Sequence, residues 1–446
     1  MEQLYQQAGY MLVRVIIPPQ ELTDGGSFRL QILTGYIEAV NLDAVPDKAR
    51  PYVERLFSRL LNNRRLTAAE FDRIVLLARR AAGMSVRTTL VPGEGIGAGL
   101  LVVEAEHTPY SGNVSFNSRI DVPRPAWSVS ASVQLNQPFG RGEQVSINAS
   151  APLSTIFPEP GVAAREWSGG GRVTWPLDAD GLELQVGLAL SESYSPAFWF
   201  IPATTTKFRR VSANVSKPLE LAQDRELRVS LALERTDQVW EATDFGVELT
   251  RDGLAVARLD TNLRRDTPGG GSISLNWEVS QGVSGLSRSR AEAEASGVPF
   301  SQPDVNLDFH KVQFSAEWRQ PVAGGVRLTT SFRNQFAVAR PLPTTELFSA
   351  VGVSGSENGW TLRSEAERRF SFREGRLQVN ASVWLAASGA HTAGTGAMSA
   401  SFSGVSVGMK YGDWRLTLDY SQGNVVLGTA SAMYSKSLQA GVEVAF

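Results

Sequence analysis

The sequence predicts a mainly β protein, a transmembrane antiparallel β-barrel of about sixteen strands preceded by small α+β domains. Three observations carry this prediction. From Thr108 to Phe446 apolar and polar residues alternate in stretch after stretch, which is the period of a half-buried strand. The connections between those stretches alternate between tight and long. Before His107 the pattern changes, and two segments carry apolar residues three and four apart, as helices do.

The first helical signal is sharp. Thr67-Ala68-Ala69-Glu70 is a capping box, with Leu66 and Phe71 placed as a hydrophobic staple across it. Phe71, Ile74, Val75 and Ala78 then follow on one face. Pro51 to Leu61 repeats the pattern with Val53, Leu56, Phe57 and Leu60, and Pro51 suits a first helical turn. Strand-like runs flank the pair: Tyr36 to Leu42 before it, Ser85 to Val91 and Gly99 to Glu106 after it. Residues 36–108 thus read as strand, helix, helix, strand, strand. Residues 1–35 repeat only the second half of that unit: a helix end at Leu4 to Ala8, then strands Tyr10 to Ile17 and Phe28 to Leu33 around a turn at Asp24-Gly25-Gly26. After His107 no helix is expected.

Residues 109–446 read as the barrel. Leu438, Ala440, Val442, Val444 and Phe446 alternate with polar or small neighbours at the end of the chain, and the same holds for Trp127 to Asn136, Leu227 to Glu234 and Trp414 to Ser421. Alternation alone fits a soluble sandwich equally well. Loop lengths decide. Seven tight turns (137–142, 178–181, 220–224, 267–271, 321–325, 372–375 and 411–413) separate strand pairs. Longer polar loops fall between them, notably 281–306 and 338–359. Short turns at one end and long loops at the other mark an outer-membrane barrel, and about 21 residues per strand with its connection suffice to cross a bilayer. Trp127, Trp175, Trp240, Trp318, Trp360, Trp414 and Tyr420 are placed to form interfacial girdles.

Composition removes other classes. The 446 residues carry a net charge of −2, which provides no basic field for nucleic acid. There is no cysteine, which excludes disulfide scaffolds and thiolate chemistry and suits an oxidising compartment. His107, His310 and His391 are too scattered to suggest a metal site, and no cofactor is expected. No apolar run approaches the roughly 20 residues of a membrane helix. Gly404-Val405-Ser406-Val407-Gly408 fits a nucleophile-elbow pattern, but it lies inside an alternating strand with no helix after it, so no enzyme is expected. Gly93, Gly95, Gly97 and Gly99 lack the spacing of a phosphate cradle and read as a hairpin turn.

The order of parts resembles the B component of two-partner secretion, the hemolysin activation and secretion transporters. Gly9-Tyr10, Pro18-Pro19-Gln20-Glu21-Leu22-Thr23-Asp24-Gly25 and Gly35-Tyr36-Ile37-Glu38 resemble that family's first periplasmic (POTRA) domain. Phe139-Gly140-Arg141-Gly142-Glu143 resembles its turn after the second barrel strand. Val442, Val444 and terminal Phe446 resemble the signal by which the barrel-assembly machinery inserts such barrels. The resemblance implies two POTRA domains before a sixteen-stranded barrel in the outer membrane of a Gram-negative bacterium. It also implies a large secreted partner exoprotein, adhesin-like or hemolysin-like, that passes through unfolded. On this reading 1–35 is the second half of a first POTRA domain and 36–108 the second. Neither a signal peptide nor the front of the first POTRA domain is visible, so a miscalled start or a fragment is expected.

In the family, a loop after the eleventh strand carries a Val-Arg-Gly-Tyr motif whose arginine pairs with an inward aspartate of an F-x-D-x-G motif on the thirteenth. Here Val353-Ser354-Gly355-Ser356 stands in the loop, and Leu385-Ala386-Ala387-Ser388-Gly389 puts Ala387 where the aspartate would be. Both charges are gone. Capture of the partner by strand addition is expected at Ser85, Arg87, Thr89 and Val91, beside Phe71 and Ile74. Two alternatives stay open. One is a passive pore or remnant whose loop is freed by the lost arginine. The other is a barrel-assembly relative.

Overall fold

The computed structural model describes residues 1–20, 28–119, 126–157, 166–197, 202–339, 341–372, 375–392, 396–427 and 433–446. The expected turn at Asp24-Gly25-Gly26 lies outside the described residues.

The N-terminal segment holds a short helix, α1 (Glu2–Gln7), and an antiparallel strand pair, β1 (Val13–Ile16) and β2 (Gln31–Thr34). Next comes a complete α+β unit: β3 (Tyr36–Ala44), α2 (Arg50–Phe57), α3 (Ala68–Arg80), β4 (Met84–Pro92) and β5 (Ala98–His107). Its sheet has the order β3-β5-β4, with β3 parallel and β4 antiparallel to the central β5. The helices lay Val53, Leu56, Phe57 and Ala78 against Ile37 and Leu101 of the sheet, and all six are fully buried. The Thr67 cap forms as the sequence predicts. Thr67 Oγ1 accepts from the Glu70 amide at 3.2 Å, and Glu70 Oε2 accepts from the Thr67 amide at 3.0 Å. Such a cap is worth about 1 kcal/mol. The glycine run is the β4–β5 turn, where the Gly93 amide donates to the Ala98 carbonyl and Gly97 has φ +76°.

Sixteen antiparallel strands, from Tyr110–Arg119 to Met433–Ala445, close into one barrel among the described residues. Six of the expected tight turns join strands at the end that faces the α+β unit, and the seventh, 372–375, includes residues 373–374, which lie outside the described residues. Outward positions form an apolar belt that includes Leu231, Val383, Leu385, Val407 and Leu418. Trp127, Trp240 and Trp360 stand exposed toward the long-loop rim, and Trp318 and Trp414 toward the short-turn rim. Ser406 lies within the fourteenth strand (Gly396–Tyr411), opposite Ser382 and Asp419. The barrel region does contain helices, contrary to expectation. Arg290–Ser296 forms one in the loop after the ninth strand, started by a Ser289–Glu292 capping box, and Leu153–Ile156 forms another.

The α+β unit is fastened to the barrel's short turns. Gly142 lies under the Tyr52 ring at φ +86°, and a Cβ there would sit 2.6 Å from the ring. Burial pushes the Tyr52 hydroxyl up to about 12. Glu143, fully buried, folds this first turn by accepting from the Phe139 and Arg141 amides. On α3, Arg73 donates to the carbonyls of Asp180 and Pro218, each at 2.8 Å, and Arg80 pairs bidentately with Glu226 at 2.6 and 2.7 Å.

Candidate functional site

The long connection between the eleventh strand (Val326–Ala339) and the twelfth (Asn358–Phe372) turns into the barrel instead of away from it. It contains a helical turn, Thr344–Glu346, and a small hairpin of Phe348–Ala350 with Val353–Ser356. Pro341 and Pro343 suit the extended backbone that leads in.

One side of this loop is held by charge. Glu346 is buried, and Arg258 on the eighth strand (Val247–Thr267) grips it, with Nη2 to Oε1 at 2.7 Å and Nη1 to Oε2 at 3.2 Å. Lys311 on the tenth strand (His310–Val322) reaches Oε2 at 2.6 Å. Arg258 also contacts Glu234 at 3.0 Å and Glu278 at 3.1 Å on the flanking strands. Burial alone would raise the Glu346 pKa, but Lys311 and Arg258 together hold it below the ordinary carboxylate value. Gln335 donates to the carbonyls of both Glu346 and Glu357, each at 3.0 Å, and so ties the two limbs of the loop together. Beside the cluster lies a polar lumen cavity of about 420 Å³, which Arg172 and Arg210 also line.

The other side is held by packing. Phe348 and Val353 are buried with Ala390 and Ala400, and Gly352 lies against Ala400, Phe402 and Val425. Ser388 on the thirteenth strand (Leu377–Thr392) donates to the Val351 carbonyl at 2.6 Å. Arg333 covers the Phe348 ring, 5.1 Å from its centroid.

The expected motif residues therefore separate. Val353, Ser354, Gly355 and Ser356 all fall on or beside the small hairpin. Val353 and Ser356 are buried, and Gly355 has φ +73°. Ala387 is not inward. It pairs with lipid-facing Leu362 and shares its parity with exposed Val383 and Leu385, so the inward series is Trp384, Ala386, Ser388 and Ala390. The aligned position was one residue out of phase. Glu346, Arg258 and Lys311 supply an anchor for this loop that sequence reading missed. Nothing in the local pattern distinguishes these three from other lumen charges.

The residues expected to capture a partner divide as well. Ser85, Arg87, Thr89 and Val91 lie on β4, an edge of its sheet, with Ser85, Arg87 and Thr89 exposed. Phe71 is half-buried and packs against the unit's own core, in which Ile74 is buried. Arg79 donates to the Val86 carbonyl at 3.1 Å and satisfies one acceptor on β4. At the chain end, Val442 and Val444 pair across the closing seam with Phe116 and Val114. Phe446 exchanges two backbone hydrogen bonds with Gly112, at 2.8 and 2.9 Å.

A family model described as haemolysin secretion/activation protein ShlB/FhaC/HecB matches residues 97–411. The hemolysin transporter protein ShlB of Serratia marcescens is 23% identical over 391 residues, which are 82% of this chain and 65% of that protein. The chain thus spans less than two thirds of that relative's length. Among solved structures, CdiB from Escherichia coli is similar with a TM-score of 0.81 at 16% identity, over 100% of this chain and 82% of that one. CdiB from Acinetobacter baumannii follows with 0.73 at 12% identity, over 99% and 79%. BamA from Haemophilus ducreyi lacking POTRA domains 1-3 is more distant, with 0.55 at 12% identity over 100% and 92%. At these identities the structural likenesses speak to the fold.

Proposed function

The chain belongs to the haemolysin secretion/activation family of outer-membrane transporters, and on that premise we propose that it secretes a large unfolded partner exoprotein through its barrel. The observation that carries this reading is the pairing of a POTRA-like unit with the barrel mouth. Arg73 and Arg80 fasten that unit to the barrel's short turns, while β4 keeps one edge without a strand partner among the described residues. An extended segment of the partner adds to that edge by main-chain hydrogen bonds and is delivered to the lumen. The partner's class is an adhesin-like or hemolysin-like exoprotein. The lipid of the outer membrane surrounds the apolar belt, and the barrel-assembly machinery acts on the Phe446 end during biogenesis.

The test is secretion itself. The chain is co-expressed with a candidate large exoprotein of the adhesin or hemolysin class, and the culture medium is assayed for that protein. Export that depends on this chain supports the reading. Retention of the partner in the periplasm, with the barrel assembled, argues for a passive pore. A periplasmic build-up of other outer-membrane barrels on deletion would favour an assembly role, for which BamA offers a fold-level precedent.

A further inference from the structure

We infer that Glu346 is the residue that holds the lumen loop in place, as a latch of inverted polarity: a loop carboxylate clasped by the wall cations Arg258 and Lys311. The loop positions that resemble an arginine motif hold Ser354 and Ser356, and the inward face of the thirteenth strand presents Trp384, Ala386 and Ser388. Neither side carries the charge pair. The ion pairs of Glu346 lie on another flank, against the eighth and tenth strands, where one carboxylate meets two cations.

The geometry distinguishes a latch from ordinary lumen polarity. Arg258 is cross-braced independently of the loop, since Glu234, Glu278 and the Ser280 hydroxyl at 2.8 Å remain with it when Glu346 leaves. Lys311 is not. Among the described residues Glu346 is the one carboxylate within ion-pair distance of its ammonium, and the Lys311 side chain is only 5% exposed. Withdrawal of the loop therefore takes from Lys311, which lines the polar cavity, its one ion-pair partner among the described residues, and the lost attraction favours the seated loop. The Thr344 hydroxyl contacts Asp252 at 3.3 Å, and Gln335 clamps the carbonyls on either limb, so the helical turn bearing Glu346 presents its carboxylate in one orientation.

The inference deepens the transport reading but is tested by ion conduction, which needs no partner, so a failed secretion assay and a failed latch are told apart. The full chain is reconstituted in planar lipid bilayers, and single-channel open time is recorded for the unaltered protein and for Glu346→Gln. Neutralising the latch raises the open fraction at neutral pH by about tenfold, the change expected when one charged partner of a buried cluster is lost. Where Glu346→Gln does not assemble, Lys311→Gln reads the same latch from the wall. Hydrogen exchange over residues 342–347 is followed in the same two variants, because a loop that leaves the wall loses the protection of the backbone around Glu346. In Glu346→Gln that exchange speeds up together with the rise in open fraction. An open fraction unchanged by either charge substitution overturns the inference. So does a raised open fraction in Glu346→Gln with exchange over residues 342–347 unchanged.

Discussion

Phe348 occupies the space that Gly359 leaves empty: a Cβ on Gly359 would lie 2.2 Å from the Phe348 ring. The glycine is required for its missing side chain, since the ring is the largest apolar group by which the loop packs on its hairpin side. Gly359→Ala forces the ring out, and Arg333 loses the face it covers. The expected outcome is a destabilised loop, by about 1–3 kcal/mol for overpacking. Faster hydrogen exchange over residues 348–356, with the barrel strands unaffected, is the measurement that checks it.

The latch has a pH signature whose sign follows from the Glu346 environment. Its pKa is held below that of an unpaired carboxylate, so the stabilisation is fully present above the ordinary carboxylate range and is lost as pH falls through the depressed value. The groups that set it are Arg258 and Lys311, with Glu234, Glu278 and Asp260 behind Arg258 and Glu357 on the far limb. Channel openings of the unaltered protein should therefore rise on acidification below that range, while Glu346→Gln stays open and nearly flat across the same titration. A pH response retained in Glu346→Gln would assign it to another group.

Docking of the POTRA-like unit depends more on Arg73 than on the ion pairs around it. Arg73 satisfies two carbonyls, that of Asp180 in a short turn and that of Pro218 near the end of the sixth strand, and Arg73→Ala leaves both without that donor at a cost of about 1–3 kcal/mol. Arg80 and Glu226 are partly solvent-screened, so Arg80→Ala should cost less, about 0–1 kcal/mol. Limited proteolysis of the reconstituted protein separates the two, with α3 cut faster in Arg73→Ala than in Arg80→Ala.

Closure of the barrel rests on a short seam. Gly112 admits the Phe446 ring, and a Cβ there would lie 2.7 Å from it. Gly112→Val should reduce the yield of folded, heat-modifiable barrel several-fold more than the same change at Gly408, whose neighbours are 3.8 Å or farther from a Cβ. Equal yields would show that the seam tolerates the clash.

How far the sequence could be read depends on what each feature looks like locally. Strand alternation and seven tight turns are local, and Leu438 to Phe446 announces its register unaided. The Thr67 cap is equally local, and so is the Ser289–Glu292 box, whose Ser-x-x-Glu spacing lies in a region that otherwise reads as strand and loop. The face of Ala387 is not legible locally for a definite reason: Ala386-Ala387-Ser388-Gly389 is a run of small residues with no hydrophobic phase, so only the register with Leu362 fixes which face each takes. Glu346 and Arg258 are 88 residues apart and meet only because the wall curves round to the loop. No window along the chain contains that pair.

The loop touches the eighth and tenth strands through Glu346 and the thirteenth through the Val351 carbonyl. It therefore works as a crossbeam. A cylinder of sixteen strands with only water inside resists flattening poorly, because hydrogen bonds between strands bend easily about their long axis. A beam pinned at one end by charge and at the other by packing keeps the cross-section round. Release of either end would let the wall relax toward an ellipse, so the shape of the opening and the seating of the loop are one mechanical variable.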